Sequence, residues 1–178
     1  MPKIFKQKNI EYNDLQSDLK PYSWFSSSRL SEIGNSEDLY FNMRKLDPDK
    51  YSYPYHFHHN AEELLIILEG SVTLRTEEGL EIVEKGDILF FEKGDASAHQ
   101  LYNHTSQPCV YFDLRTNNKF DVAEFTDTNK LVAGLSNGSN MQIFERGEEV
   151  DYFKGEENIS EKWNELKLKD EARPANKI

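Results

Sequence analysis

The stretch YPYHFHHNAEELLIILEG, residues 53–70, joins a cluster of titratable side chains to a run of apolar residues. Three of the chain's 5 histidines and two adjacent glutamates lie between His56 and Glu63. The apolar run from Leu64 to Leu68 follows at once and indicates a buried strand. Titratable groups beside a buried strand cost free energy unless they bind something. This stretch therefore predicts a functional site at the edge of a β-sheet core.

Alternation along a strand separates the three neighbouring histidines. Residues i and i+2 of a strand share a face, so His56 and His58 point the same way and His59 points to the opposite face. His59 is therefore expected at the surface. Glu62 and Glu63 are adjacent, so only one of them can face the histidines. A turn or bulge before them breaks the alternation, and periodicity leaves the choice between them open.

A further histidine, His99, lies in SAHQLYN, where it alternates with its neighbours as on a strand. In a barrel this strand can return beside the first and supply a third imidazole. Three imidazoles and one carboxylate suit iron, manganese, nickel, cobalt, copper or zinc, and not calcium or magnesium, which prefer oxygen ligands. Four protein ligands would fill tetrahedral zinc, so a catalytic site favours iron, manganese or nickel with open positions.

From Leu39 onward, short segments rich in Val, Ile, Tyr and Phe alternate with turn signals, which is typical of an all-β sandwich or barrel. LVAGLS and MQIFERG flank the turn signal Asn137-Gly138 and predict two further edge strands. The main predicted strands cover residues 39–46, 52–58, 62–68, 71–76, 80–84, 87–92, 98–103, 108–115 and 120–126.

The two ends of the chain differ from this pattern. The beginning is Ser-rich and has no sustained period, which predicts an arm. Near the other end, Ile159, Trp163 and Leu166 have helical spacing, which predicts a short amphipathic helix and then a disordered end after about residue 173. The predicted organisation is an N-terminal arm (1–35), a barrel core (36–126), additional strands and loops (127–156), and a C-terminal helix and tail (157–178).

Composition limits the function classes. The chain has 178 residues, of which 37% are hydrophobic and 30% charged, enough for one core with appendages. Its net charge of −11 argues against binding to nucleic acid or to anionic membrane surfaces. The start lacks an apolar signal region, which predicts a cytoplasmic protein. The single cysteine, Cys109, is expected to be a buried strand residue and not a nucleophile.

The two histidine-bearing segments resemble the two sequence motifs of the cupin superfamily. The first motif is G-x5-H-x-H-x3-4-E-x6-G, and HFHHNAEELLIILEG matches it at His56, His58, Glu63 and Gly70. The second is G-x5-P-x-G-x2-H-x3-N, and GDILFFEKGDASAHQLYN resembles it at Gly86, Gly94, His99 and Asn103. The amino-acid sequence of these segments is also similar to that of a subgroup of single-domain bacterial cupins without assigned activity.

This resemblance covers roughly residues 39–116 and implies a double-stranded β-helix, or jelly-roll, barrel. It also implies that one metal is held by His56, His58, Glu63 and His99, so that Glu63 and not Glu62 is the carboxylate ligand. The chain departs from the motifs in three places: Lys50 replaces the opening Gly, Glu92 replaces the Pro, and two extra residues precede His99.

The ligand set and an expected apolar, aromatic-lined cavity predict a metal-dependent enzyme acting on a small organic molecule, with an oxygenase favoured over an isomerase. Glu63 is the candidate residue for proton transfer. The alternative is a non-catalytic ligand-binding or sensor protein, and no sequence feature separates the two. The exposed edges of a lone barrel predict a homodimer. The candidate cavity-lining residues are Tyr55, Phe57, Arg75, Gln100, Tyr102, Tyr111 and Asp113.

Overall fold

The structure is a computed structural model that describes residues 1–15, 17–22, 25–135 and 140–164. The chain forms two compact units, Met1–Arg146 and Gly147–Ile178. The strands of the first unit are β1 (Asn13–Leu15), β2 (Phe25–Ser27), β3 (Leu39–Leu46), β4 (His56–His58), β5 (Glu63–Glu69), β6 (Ser71–Thr76), β7 (Gly79–Glu84), β8 (Ile88–Phe91), β9 (Gln100–Tyr102), β10 (Cys109–Thr116), β11 (Phe120–Phe125), β12 (Lys130–Leu135) and β13 (Gln142–Glu145).

Helical structure is sparse. Among the described residues of the first unit, the helical elements are the α-helix α1 (Leu30–Gly34) and four 3-10 turns, Gln7–Asn9, Lys20–Tyr22, Asp95–Ser97 and Thr126–Thr128. In the second unit residues 159–164 are helical, as the spacing of Ile159 and Trp163 predicts. Leu166, the predicted disordered end and the Asn137-Gly138 turn lie outside the described residues. No helix in the described ranges has the length and apolar character to cross a membrane.

The strands form three antiparallel sheets. The largest has the order β1-β2-β3-β10-β5-β8, and the others are β13-β12-β11-β4 and β7-β6-β9. His56 and His99 exchange two backbone hydrogen bonds of 2.9 and 3.2 Å, which join β4 to the segment leading into β9. One apolar core contains side chains from both the largest and the three-stranded sheet, including Leu65, Ile67, Val72 and Leu101. The predicted all-β jelly-roll barrel is confirmed.

Strand β5 explains the apolar run that follows the titratable cluster. Its residues Glu63, Leu65 and Ile67 are buried inside the barrel. Leu68, on the other face, packs in a second cluster with N-terminal side chains, which include Phe5, Ile10, Tyr12 and Leu30. Because the N-terminal arm covers the outside of the sheet, β5 is apolar on both faces. The inward-facing residues of β5 therefore lead from the carboxylate of Glu63 into the apolar core.

Most strand bounds lie within two residues of prediction, and two larger differences have identifiable reasons. Strand β4 begins at His56 and not at residue 52, because Pro54 lacks the N–H that a strand ladder needs. The arm, predicted without regular structure, adds β1 and β2 to the edge of β3 through Ser26 and Ser27. The two additional strands form, but only β13 is an edge strand, because β12 lies between β11 and β13. The homodimer stays a prediction.

Cys109 is a buried core residue, as predicted. Its side chain is inaccessible to solvent within the apolar cluster. Burial raises the pKa of its thiol to about 12, so the thiolate that a nucleophile needs is absent at neutral pH. Gly70 lies against this region with φ of +79°, and a Cβ there would meet Pro108 O at 3.0 Å. The position therefore requires glycine.

Candidate metal centre

The fold brings His56, His58, His99 and Glu63 together at one end of the core. The ligand atoms offered by His56, His58 and Glu63 all lie within 4.8 Å of one another. Oε2 of Glu63 lies 3.3 Å from Nε2 of His99 and 3.7 Å from Nε2 of His58. The backbone pairing of His56 with His99 sets their rings 4.8 Å apart, centroid to centroid. All four side chains are buried.

Each imidazole is held through Nδ1 by an oxygen that can only accept a hydrogen bond. His56 Nδ1 donates to Pro54 O at 2.8 Å and His99 Nδ1 to Ser97 O at 3.0 Å. His58 Nδ1 donates to Oδ2 of Asp121 at 2.5 Å. These partners assign the proton of each neutral ring to Nδ1 and leave the Nε2 lone pair unprotonated. Three lone pairs therefore accompany the carboxylate of Glu63.

The charge states suit a cation. Burial, together with His99 and His58, lowers the pKa of His56 to about 3, so this ring is neutral at pH 7. Burial acts to raise the pKa of Glu63, but the imidazoles, His99 first, hold it well below its usual range. Oε2 of Glu63 is buried and accepts no hydrogen bond of good geometry from the described residues. A metal ion would satisfy this oxygen, so the residues present fit the implied group.

The neighbouring titratable residues lie outside this cluster. His59 is half exposed, and its Nε2 lies 2.7 Å from Oε1 of Glu124. Glu62 is exposed, and His104 contacts Thr73 at 2.9 Å in an exposed position. Asn103 is fully buried and donates to Leu46 O and Gln107 O, which ties down the turn that follows β9. These positions agree with the surface and structural roles expected for them.

Most of the predicted cavity-lining residues lie on the wrong face of their strands. Gln100 and Tyr102 alternate with inward-facing Leu101, so they point away from the side of His99. Gln100 donates to Tyr53 O at 2.7 Å. Tyr102 stacks on Tyr51 with ring centroids 4.6 Å apart.

Arg75 and Tyr55 form a separate outer contact. Arg75 alternates with buried Leu74, makes two hydrogen bonds to Asp127, of 2.6 and 2.8 Å, and lies 4.0 Å over the ring of Tyr55. Tyr55 packs with Phe57 and Ala98 in a small cluster of its own. Of the predicted lining residues, Tyr111 and Asp113 share the interior face, since they alternate with outward residues of β10.

Sequence reasoning identified Tyr111 and Asp113 but missed the rest of a polar group on the interior faces of β3 and β10. Their register places three pairs side by side: Tyr40 with Arg115, Asn42 with Asp113, and Arg44 with Tyr111. Nε of Arg44 forms a buried ion pair with Oδ2 of Asp113 at 2.8 Å. Both guanidinium groups lie over the ring of Tyr40, at 5.9 Å for Arg44 and 5.1 Å for Arg115. The alternation in CVYFDLRT, the sequence of β10, indicates that Tyr111, Asp113 and Arg115 share one face.

A cavity of about 410 Å³ adjoins this polar group. Its lining includes Tyr40, Asn42, Arg44 and Tyr53. The ring of Tyr53 lies 5.9 Å from the ring of His56 and 5.9 Å from Cζ of Arg44, so it connects the cavity wall to the histidines. The lining therefore contains aromatic residues, as expected of the cavity, together with guanidinium and amide groups that the expectation did not include.

Asp121 was also missed, because it follows the second motif on β11 and becomes a neighbour of His58 only through the pairing of β11 with β4. Its Oδ1 accepts from Asn60 N at 3.0 Å while Oδ2 accepts from His58. Burial acts to raise the pKa of Asp121, but the bond from His58 leads the effects that lower it overall. An ionised acceptor of this kind fixes the tautomer and strengthens the ring as a ligand.

We expect Asp121→Asn to weaken metal binding by about 10- to 100-fold, because the amide no longer offers a charged acceptor to His58 Nδ1. Competition with a chelator of known affinity measures the change. Glu124→Gln is the matched control on the same strand, since Glu124 contacts the outward His59. Equal metal affinities in the two variants would contradict the assigned role of Asp121.

Comparison with known proteins supports the fold. The cupin domain family model matches residues 42–115. A crystal structure of a sugar phosphate isomerase from a cupin superfamily, from Silicibacter pomeroyi, has a TM-score of 0.72 and 24% identity, covering 85% of this chain and 98% of that chain. A putative sugar phosphate isomerase from Acidithiobacillus ferrooxidans has a TM-score of 0.69 and 18% identity, with coverages of 83% and 97%.

More distant structures share the same barrel. The polyketide cyclase RemF from Streptomyces resistomycificus has a TM-score of 0.54 and 20% identity, covering 65% of this chain and 80% of that chain. No curated protein matches the chain in sequence. At these identities the solved structures establish the fold and leave the activity open. Residues 42–115 match the cupin domain family, and the solved structures share the barrel fold that surrounds these residues.

Proposed function

We propose that the protein is a metal-dependent enzyme of the isomerase type that acts on a small, oxygen-rich organic molecule. The observation that carries the proposal is the convergence of three Nε2 lone pairs on the buried Oε2 of Glu63. His56, His58, His99 and Glu63 would hold one divalent transition ion, with iron, manganese or nickel favoured over zinc, cobalt or copper. The bound ion would supply Lewis acidity to a substrate oxygen.

The polar wall beside the histidines favours an isomerase over an oxygenase. Arg44, Asn42 and the phenols of Tyr40 and Tyr53 line the cavity of about 410 Å³, and such groups suit hydroxyl, carbonyl or anionic substituents. Burial raises the pKa of Tyr53 to about 12, although Arg44 acts in the opposite direction. The phenol of Tyr53 therefore keeps its proton at neutral pH and would donate a hydrogen bond to a substrate oxygen.

Glu63 is the proposed proton-transfer residue. The carboxylate is ionised at neutral pH, since its pKa lies well below the usual range. Glu63 would leave the metal briefly to accept a proton from a substrate carbon, as a carboxylate near a cation can. An aldose–ketose interconversion through an enediol uses such a base to move the proton between adjacent carbons. Two of the similar structures carry the name sugar phosphate isomerase, which agrees with the proposal, although their low identity supports the fold alone.

The test follows exchange of substrate protons with solvent. Protein loaded with Mn²⁺, Fe²⁺ or Ni²⁺ would be mixed in D₂O with a panel of aldoses, ketoses and their phosphates, and NMR would detect deuterium at the carbon beside the carbonyl. We expect exchange that needs the metal and no oxygen uptake in parallel electrode measurements. Oxygen consumption would instead establish an oxygenase, and ligand binding without exchange or turnover would establish a binding or sensor protein; either result contradicts the proposal.

A further inference from the structure

Arg115 approaches the candidate metal centre from β10. It stands opposite Glu63 in the antiparallel register of β10 and β5. Its Nη1 atom lies 3.4 Å from Nε2 of His58, with good donor geometry toward the ring lone pair. The same lone pair is the one that a metal at this centre would take, since Nδ1 of His58 is committed to Asp121. The guanidinium and a bound metal would therefore face the same small space.

Two cations directed at one space in a buried site repel each other, and little solvent is present to screen them. An oxyanion bound between them would attract both the guanidinium and the metal. A guanidinium presents its N–H donors in a planar fork whose geometry matches a carboxylate or phosphate. The remaining oxygens of the same group would coordinate the divalent ion.

Space for such a group exists beside the pair. A small cavity of about 70 Å³ has His58, Arg115 and Asp121 in its lining, together with apolar residues of β11 and β12 that include Ala123 and Val132. This volume exceeds the roughly 30 Å³ that one water occupies in the liquid. The two apolar side chains would lower the local dielectric and strengthen an ionic contact made there.

We propose that Arg115 anchors an oxyanion, a carboxylate or phosphate group of the substrate, between its guanidinium and the metal at His58. This assignment rests on the metal-dependent function proposed above and specifies its substrate as an organic acid or phosphate ester. Arg44 would not fill the same role, because its Nε atom is committed to Asp113 and its Nη1 donates to Ser27 Oγ at 2.6 Å.

The test measures binding of two probes, inorganic phosphate and acetate, to Mn²⁺-loaded protein by isothermal titration calorimetry. We expect the wild type to bind at least one probe, and Arg115→Gln to weaken that binding by about tenfold or more, as the loss of a charge-assisted hydrogen bond predicts. The Mn²⁺ content should not change. The probe that binds more tightly identifies the substrate group as a phosphate or a carboxylate. Arg146→Gln is the matched control, because Arg146 is an exposed arginine paired with Glu124.

A second measurement needs no variant. Removing the metal from the wild type should weaken probe binding by about tenfold or more, because one of the two cations is lost. Arg115→Lys provides a variant that keeps the charge if Arg115→Gln does not fold, and it should bind more weakly than wild type because the planar fork is lost.

Several outcomes would overturn the inference alone: Mn²⁺-loaded wild type that binds neither probe at millimolar concentration, equal probe affinity with and without metal, or unchanged affinity in the Arg115 variants. Failure of the wild type to hold Mn²⁺ in elemental analysis would overturn the proposed function and this inference together.

Discussion

Glu63→Gln is expected to abolish tight metal binding and to lower the stability of the metal-free protein at neutral pH. Without metal, the pKa of Glu63 lies well below its usual range, so its ionised carboxylate contributes stability above its unfolded pKa, and the neutral amide loses that contribution. With metal, the same change deletes the only anionic ligand. Affinity should fall by about 100-fold or more, since loss of a supporting hydrogen bond alone costs about 10- to 100-fold.

Thermal unfolding with and without Mn²⁺ measures both effects near neutral pH. At a free metal concentration about 1,000 times the dissociation constant, the wild type should gain about 4 kcal/mol of stability. Glu63→Gln should gain far less. Glu62→Gln changes the exposed neighbouring carboxylate and should keep the full gain.

A second matched pair tests the imidazoles in the same way. His58→Ala should lose the metal-dependent gain and His59→Ala should keep it, because His59 points outward to Glu124. Full metal-dependent stabilisation of Glu63→Gln or His58→Ala would disprove the ligand assignment.

Arg44→Met should lower the free energy of unfolding by about 3–5 kcal/mol at neutral pH, because it leaves Asp113 buried without its cation. The pair is formed by two side chains that are 4% and 5% exposed, so solvent cannot replace the lost partner. The double variant Arg44→Met/Asp113→Leu should recover most of the loss, since no charge then remains to be desolvated. Arg29→Met is the matched control, because the Arg29–Glu32 pair is more than half exposed.

The deficit of Arg44→Met should also depend on pH. Burial raises the pKa of Asp113, and Arg44 is the first of the groups that oppose this effect, so its removal raises that pKa further. A carboxyl group with a raised pKa in the folded state contributes stability below its unfolded pKa of about 4 and loses it as pH rises. The difference in stability from wild type should therefore shrink toward about pH 4. A deficit that is constant across this range, or that grows on acidification, would contradict the buried-pair explanation.

Local sequence patterns predicted most of the strands but not how they meet. Strands β3 and β6 have the predicted bounds, because turn residues delimit each of them. The N-terminal strands β1 and β2 could not be predicted from the Ser-rich arm, since β2 forms by pairing with β3 and β1 by pairing with β2. Their residues carry little β-propensity, and the tertiary contact decides their conformation.

The residues of the candidate site also divide into those that the sequence predicted and those that only the tertiary structure reveals. Alternation alone places His56 and His58 on one face, the alternating segment SAHQLYN offers His99 as a third imidazole, and the resemblance to the cupin motifs selects Glu63. Asp121 lies beyond both motifs and reaches His58 only through the pairing of β11 with β4, so no local pattern could reveal it.

The alternation along β10 divides its residues between two faces, but the sequence alone does not say which face points into the barrel. Position on a strand also explains the errors, because Arg75, Gln100 and Tyr102 each alternate with an inward residue. Shifting a strand assignment by one residue would have exchanged the inward-facing and the outward-facing residues of that strand.

Anomalous X-ray diffraction from crystals of Mn²⁺-loaded protein tests the central claim most directly. The metal-centre assignment predicts one strong anomalous peak bonded to Nε2 of His56, His58 and His99 and to a carboxylate oxygen of Glu63, at about 2.0–2.3 Å from each. A barrel with intact fold and no peak at these four residues, or with its strongest peak elsewhere, would contradict it.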